Sequence, residues 1–493
     1  MKKRLSLIIA ALLACMPILA ACGDADKPDS GADTTAPPAG ESTTAAPETT
    51  TLLDTLPVED YNGYEFRILD RVVTWSHWNM TAEEITGDTL NDITFKRQMA
   101  LEERLGITVT ESQAGHVSST LSTAVLAQSH EYDLAIMPTG DALNNYKKSY
   151  IVDQSKIDTI DLENPWWAKS VNDTINIGDK RYITFGEHNL VYYSGFYVYA
   201  FNKQMIDDLS LESPYELVKS GKWTWDKMYE MMQAAATDLN GDGTYDVAED
   251  TLGFTAHVNH LRNLMLSSGE TITQLDADGN PSYSGLTERY INVYDKFMNY
   301  FVDNPIVAVA GCQPNRFAGY NATPGQDNYA DVFNLGRSLF QCTGTYQVRS
   351  VREANMEYGL VIPPKFEESQ QDYVAPVYSA VEGMVIPSTT EDLDRTGLIL
   401  ETMGALSYDN LVDELITNIL HYKCANNPTD IEMIDLIFEK GQIDIALANN
   451  FGSCANILNS LHTYLNHNVS SAFATVQKKF ETDIAAAIED PQA

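Results

Sequence analysis

From Tyr64 onward, apolar positions recur in short runs and in longer helical patterns, with polar residues between them. Tyr64 to Leu69 reads as a strand, and Thr89 to Leu105 as a helix that has Ile93, Met99 and Leu105 among its apolar positions and an opposite face rich in Glu and Arg. Gly106 ends that helix. Ile107 to Thr110 reads as a second strand and Val117 to Ala127 as a second helix; Tyr132 to Met137 is a third strand with the unbroken apolar character of a buried one. Alternation of this kind predicts a parallel sheet with right-handed crossovers.

The rhythm resumes further on. Tyr182 to Phe185 and Phe196 to Phe201 read as strands separated by a loop, Trp223 to Ala236 as a helix, Phe254 as the start of a strand, and Tyr290 to Phe301 as a helix. Trp225, Met228, Met232 and Ala235 share one helical face, which is core patterning. Tyr358 to Ile362 and Met384 to Ile386 are strands stopped by prolines, and Asp394 to Ala487 is mostly helical. The fold class is therefore α/β. Two such sheets facing each other enclose a cleft, with ligand loops at the carboxyl ends of the strands. Trp75 and Trp78 follow the first strand and Thr139 and Asp141 follow the third, so these four are candidate ligand residues. Packing beneath the loop is the other reading of the tryptophans, and a plain turn that of Pro138 to Asp141.

The start of the chain changes the picture. Lys2, Lys3 and Arg4 precede an apolar run from Leu5 to Ala14 that is too short for a stable span, and Leu19-Ala20-Ala21-Cys22 follows. That order predicts a signal peptide over residues 1–21 and a lipid-modified Cys22. Residues 22–60 then form a tether, disordered for want of anything to bury, that anchors the body to the extracellular face of the cell membrane. The formal charge is -37, or -40 once a signal with three basic residues and no acids is removed. Such a surface repels nucleic acid and anionic lipid. Cys312, Cys342, Cys424 and Cys454 remain in the body without a CxxC pair, which argues against zinc or a redox motif and leaves disulfides and buried thiols both open.

One loop carries a metal signal. Asp238, Asn240, Asp242, Thr244, Asp246 and Glu249 place oxygen donors along a twelve-residue stretch with Gly243 at its sixth position, a pattern that suits a structural Ca²⁺. Tyr245 takes the usual aliphatic place, and the residues beyond look extended, so no helix-loop-helix sensor is expected. An acidic surface turn is the alternative. Catalytic motifs are missing: there is no HExxH, GxSxG, GxxxxGK or paired CxxC. A glycosidase-like carboxylate pair remains a rival among 69 acids, and a surface adhesin or scaffold is another.

Several segments, in their order, resemble bacterial extracellular solute-binding proteins of family 1, the group that includes maltodextrin-binding proteins. They are Gly87 to Asp92 running into Glu102 to Val109, Asn164-Pro165-Trp166-Trp167, Phe201-Asn202-Lys203, Pro214 to Val218, Gly221 to Asp226 and Gly359 to Pro364. The segments near Asn304 to Asp331 are longer than the family's minimum. The resemblance implies a two-lobed periplasmic-binding-protein-like fold of the class II type, each lobe a mostly parallel sheet flanked by helices with the ligand cleft between them. It implies lobe 1 over 61–192 and 378–427 and lobe 2 over 193–377 and 428–493. It also implies a monomeric, non-enzymatic subunit of an ABC importer that captures a small solute, a mono- or oligosaccharide, by hinge closure and delivers it to a membrane permease. Tyr346 then occupies a position where the family has an aromatic that stacks on sugar. Glu187, His188, Tyr192 and Tyr193 fall at one lobe crossing and Tyr378 and Glu382 at the return, where hinge geometry alone also explains them.

Overall fold

The computed structural model describes residues 51–72, 78–324, 327–347, 356–408, 410–420 and 428–489. It has two units, Met1–Pro57 and Val58–Ala493. The described part of the first is one short helical turn, Leu52–Thr55, closed where the Asp54 carboxylate accepts the Thr51 amide. The signal residues, Cys22 and the tether up to residue 50 lie outside the described residues, as do Trp75 and Cys424. Both main sheets belong to the larger unit.

The first sheet grows from β1 (Tyr64–Arg71), α1 (Thr89–Leu105), β2 (Ile107–Ala114), α2 (Val117–Leu126) and β3 (Leu134–Pro138). The bounds of α1 are set locally: the Asp88 carboxylate accepts the Asn91 amide, and Gly106 turns the chain into the left-handed region at φ 58°. That conformation strains any other residue, and a Cβ there would also push the Asp60 carboxylate aside. The inward row of α1 is Leu90, Thr94, Arg97, Leu101 and Leu105, whereas Met99, expected on the apolar face, is 42% exposed and Ile93 is half-buried. The reason is Arg97. Its buried guanidinium donates to the carbonyls of Met80 and His188 and to Ser407 Oγ, and so holds an inward slot that apolar counting gives to its neighbours.

α3 (Thr139–Tyr146) begins directly after β3, so the segment from Thr139 to Asp141 is the first turn of a helix and not a free turn. The second sheet comprises β4 (Tyr197–Asn202), β5 (Leu252–His257), β6 (Val307–Ala310), β7 (Ser338–Gly344) and β8 (Tyr358–Val361) in the order β8-β4-β7-β5-β6. Its flanking helices include α4 (Trp225–Ala235), α5 (Val258–Leu264), α6 (Glu288–Phe301) and α7 (Asn328–Asn334). Trp225, Met228, Met232 and Ala235 of α4 are all buried. The chain then returns to the first sheet as β9 (Glu382–Val385), giving the order β9-β3-β1-β2, and α8 (Leu393–Tyr408) packs on α1.

β1 runs parallel to β2 and β3, and β9 antiparallel to β3, so the first sheet is mostly parallel. In the second, β5 runs parallel to β6 and β7, while β4 runs antiparallel to β7 and β8. Tyr182–Phe185, expected as a strand, makes a single bridge between Thr184 and Met384. Three passes of the chain lie side by side at the junction of the sheets: Phe196 bridges Val377, and Ala375–Pro376 pairs in parallel with Gly441–Gln442. Cys312, Cys342 and Cys454 are buried free thiols. Among the described residues no helix is long and apolar enough to cross a membrane.

Candidate functional site

Beside this junction, at the carboxyl ends of β5 and β7, the structure has a cavity of about 310 Å³. Such ends gather side chains because the chain leaves the sheet there. β5 delivers His257, and His260 follows one helical turn later on α5. Asp327 caps α7, and Tyr329 lies in its first turn. β7 ends at Gly344, and the turn after it carries Tyr346 and Gln347. Tyr346 folds back over Gly344, where a Cβ would lie 2.4 Å from its ring, so this close approach requires glycine. Ser194, Gly195, Tyr197 and Tyr378 close the wall at the crossing.

Backbone bonds fix these parts to one another. The Tyr346 amide donates to Ser194 O at 3.2 Å, the Tyr378 amide to Gly195 O at 2.7 Å, and Thr345 Oγ1 to Tyr193 O at 2.6 Å. A polar chain runs along one wall. Tyr329 Oη donates to Gln347 Oε1 at 2.9 Å, and Gln347 Nε2 donates to Asp327 Oδ2 at 3.1 Å, which sets both the Gln347 amide and the carboxylate. His257 Nδ1 accepts the Asn259 amide at 3.2 Å, so its proton belongs on Nε2, leaving a ring donor.

Burial keeps the two imidazoles of the lining neutral. It lowers the pKa of His260 to about 3, with His257 and Arg262 adding to the effect, and it lowers that of His257 against the opposing pull of Asp327. The Tyr346 phenol is pushed up to about 12, again chiefly by burial. Among the described lining residues Asp327 is the one acidic side chain. Four phenol rings, neutral imidazoles, two amides and one carboxylate make a surface that can stack on a flat apolar face and hydrogen-bond hydroxyls around its edge. Among the described lining residues no nucleophile is paired with a base.

The candidates from sequence distribute as follows. Tyr346 and Tyr378 line the cavity. Thr139 is buried, and its hydroxyl donates to Ser379 O. Asp141 is exposed on α3 and lines a separate groove of about 450 Å³ facing Asn449 and Asp483. Glu187 is buried, its amide bonded to Trp166 O, and His188, lowered to about 3 by burial, donates through Nε2 to Leu400 O. Tyr192 is buried against Phe185, Tyr193 and Phe196. Glu382 is buried in β9 and paired with Arg71; burial raises its pKa while Arg71 pulls it down. Trp78 is half-buried against the core. The indoles of Trp166 and Trp167 both donate to Glu401 at 2.9 Å, Trp223 donates to Ile362 O and Trp225 to Pro364 O, so all four pack and bond within the fold.

Sequence reading missed His257, His260, Asp327 and Tyr329. The carboxyl-end rule that singled out Trp75 and Thr139 would also have reached His257, had the end of β5 been placed.

In the loop from Asp238 to Glu249 the chain wraps around Asp238, whose carboxylate accepts the amides of Gly241 and Gly243 at 2.7 and 2.8 Å. Asp250, fully buried, closes the loop from below by accepting the amides of Leu239 and Asp246. Asp242, Asp246 and Glu249 are exposed. Among the described residues no three Asp, Glu, His or Cys side chains are gathered closely enough to hold a metal. β5 follows the loop, so its flanks are a helix and a strand.

No protein-family model matches the chain, and no curated protein matches it either. Solved structures do match in fold. A sugar transporter from Rhizobium etli, in an open conformation, superposes with a TM-score of 0.53 at 13% identity over 86% of this chain and 99% of that one. A cyclo/maltodextrin-binding protein complexed with maltotetraose gives 0.53 at 13% identity over 87% and 97%. A family 1 extracellular solute-binding protein from Bifidobacterium longum subsp. infantis gives 0.52 at 13% over 85% and 100%. This chain has their two-lobed fold.

Proposed function

We propose that this protein is the solute-capturing subunit of an ABC importer, which binds a small sugar as its lobes close and passes it unaltered to a membrane permease. The observation that carries this reading is the cavity at the lobe junction, lined by four tyrosines and neutral imidazoles, in a fold shared with sugar-binding proteins. Ligand that touches both lobes stabilises the closed state, which a transporter can recognise. The signal pattern supports a lipid anchor at Cys22 and a place on the extracellular face, and the acidic surface argues against nucleic acid as a partner. The protein works as a monomer.

A thermal-shift panel of neutral mono- and disaccharides and short peptides tests the reading. At a hundredfold excess over Kd, a specific sugar adds about 2.7 kcal/mol to stability, and chromatography then recovers it intact. A panel without any sugar-dependent shift sinks the proposal, and cleavage products would favour the glycosidase reading.

The loop from Asp238 to Glu249 we read as a structural Ca²⁺ site, supported by its donor spacing and the wrap around Asp238. Its exposed carboxylates accept bonds from Thr244, Ala248 and Asn240, which a bound cation would have to replace. Asp242→Ala should lower Tm in Ca²⁺ and leave it unchanged in chelator. Equal shifts in both media would rule the metal out.

A further inference from the structure

At Tyr197 the cavity wall is held from behind by α5. His260 packs on the Tyr197 ring with centroids 5.3 Å apart, and Asn263, one turn further along the helix, donates through Nδ2 to Tyr197 Oη at 3.3 Å. We infer that Asn263 is a positioning residue: it fixes the Tyr197 hydroxyl as a hydrogen-bond donor to the solute, so that the site demands an acceptor oxygen at that point. The inference rests on the sugar-binding reading above and adds to it the polarity of one contact.

The orientation of the Asn263 amide follows from the backbone. Ser379 N–H, which can only donate, gives to Asn263 Oδ1 at 3.2 Å. That bond settles which end of the amide is which, and Nδ2 faces Tyr197. An amide NH₂ cannot accept, so Tyr197 Oη does, and its own proton must go elsewhere. Among the described residues no acceptor takes that proton, and Tyr197 borders the cavity. Burial raises the pKa of this phenol well above its usual value, so the proton is present at any working pH. The solute is the partner it meets. Ser379 is fixed in turn: it lies in the turn from Tyr378 to Val381, which closes where the Val381 amide donates to Tyr378 O at 2.9 Å. Thr139 of α3 holds that turn, its hydroxyl donating to Ser379 O and its amide to Val381 O. Tyr197, Asn263, Ser379 and Thr139 are all buried, where bonds of this kind are strong and an unmade one is costly. A donor of the second sheet is thus set by a turn that α3 of the first sheet holds, and Thr139, a ligand candidate from sequence, acts at one remove from the solute.

Isothermal titration of the full chain with D-glucose, D-galactose, maltose and raffinose tests this, the tightest of the four serving as probe. Tyr197→Phe keeps the ring and should weaken binding about fivefold or more. Asn263→Asp puts a carboxylate oxygen where Nδ2 stood; it takes the Tyr197 proton and leaves only lone pairs for the solute. That variant should lose affinity by a similar factor, and adding Tyr197→Phe to it should cost less than about twofold more. A merely structural role for Asn263 predicts factors that multiply instead. Tm without sugar checks that each variant folds. Asn263→Leu, which leaves the hydroxyl unheld, replaces Asn263→Asp if the carboxylate does not fold, and there too Tyr197→Phe should cost less than in the wild type. Unchanged affinity in Tyr197→Phe, or factors that multiply in the double variant, overturns the inference and leaves sugar capture standing. If none of the four sugars binds, the inference falls, and the wider thermal-shift panel decides whether sugar capture falls with it.

Discussion

Asp70, the penultimate residue of β1, is 4% exposed, and burial next to Glu111 and Glu382 raises its pKa to about 8. It is protonated at neutral pH, where the unfolded chain carries it ionised. A carboxyl with a raised folded pKa gives its full stability below the unfolded value of 3.8 and loses it as pH rises toward 8. The slope is about 1.4 kcal/mol per pH unit in that window. Asp70→Asn keeps an oxygen to accept the Arg71 amide and removes the titration. Its gain in Tm over the wild type should therefore widen between pH 5 and about 8 and level off above; a difference that is flat with pH contradicts the assignment. Residues of this kind are hard to see in a sequence, because burial at the end of a strand depends on what the chain brings back later, here Glu382. Tyr346 and Tyr378 could be singled out because they sit beside turns and crossings that a family pattern marks. His257 and Asp327 carry no such local mark, and their meeting depends on strand order.

At the scale of elements, the tie between α8 and the segment from Asp161 to Trp167 is the clearest case of side chains holding a fold. Glu401 accepts four N–H groups: Asp161 N and Trp167 Nε1 on one oxygen, Asn164 Nδ2 and Trp166 Nε1 on the other, all at 2.8 to 2.9 Å. In Glu401→Gln the new NH₂ faces two donors whichever way the amide turns. Bonds to a charged acceptor contribute about 1.5 to 3 kcal/mol each, so urea unfolding at pH 7 should show a loss of about 2 kcal/mol or more. A loss within error would mean the tie is incidental. The Asn-Pro-Trp-Trp motif was visible in the sequence, but its partner 234 residues on from Trp167 was not. α1 was legible to the residue because Asp88 and Gly106 mark its ends locally. β6 and β7 were not: Val307–Ala310 is a four-residue run, and β7 carries the buried polar Gln341 in its middle, so both become strands only by pairing with β5.

For the whole molecule, what matters is where the cavity draws its walls. Among the described residues its lining begins at Ser194 and ends at Tyr378, and nothing from residues 61–192 takes part. On the proposed function, the first sheet's own ligand-facing ends, near Arg71 and Thr139, reach the solute by rotation about the junction where Phe196 meets Val377. Three adjacent passes of backbone allow such a rotation while keeping both sheets intact. The alternation of strands and helices showed from sequence that there would be two sheets, but not how far apart their ligand-facing ends would stand, because that distance is set at the hinge. Small-angle scattering of the protein with and without a saturating sugar from the thermal-shift panel measures closure directly. The account predicts a smaller radius of gyration and a shorter maximum dimension in the bound state; an identical scattering profile at full occupancy would contradict it.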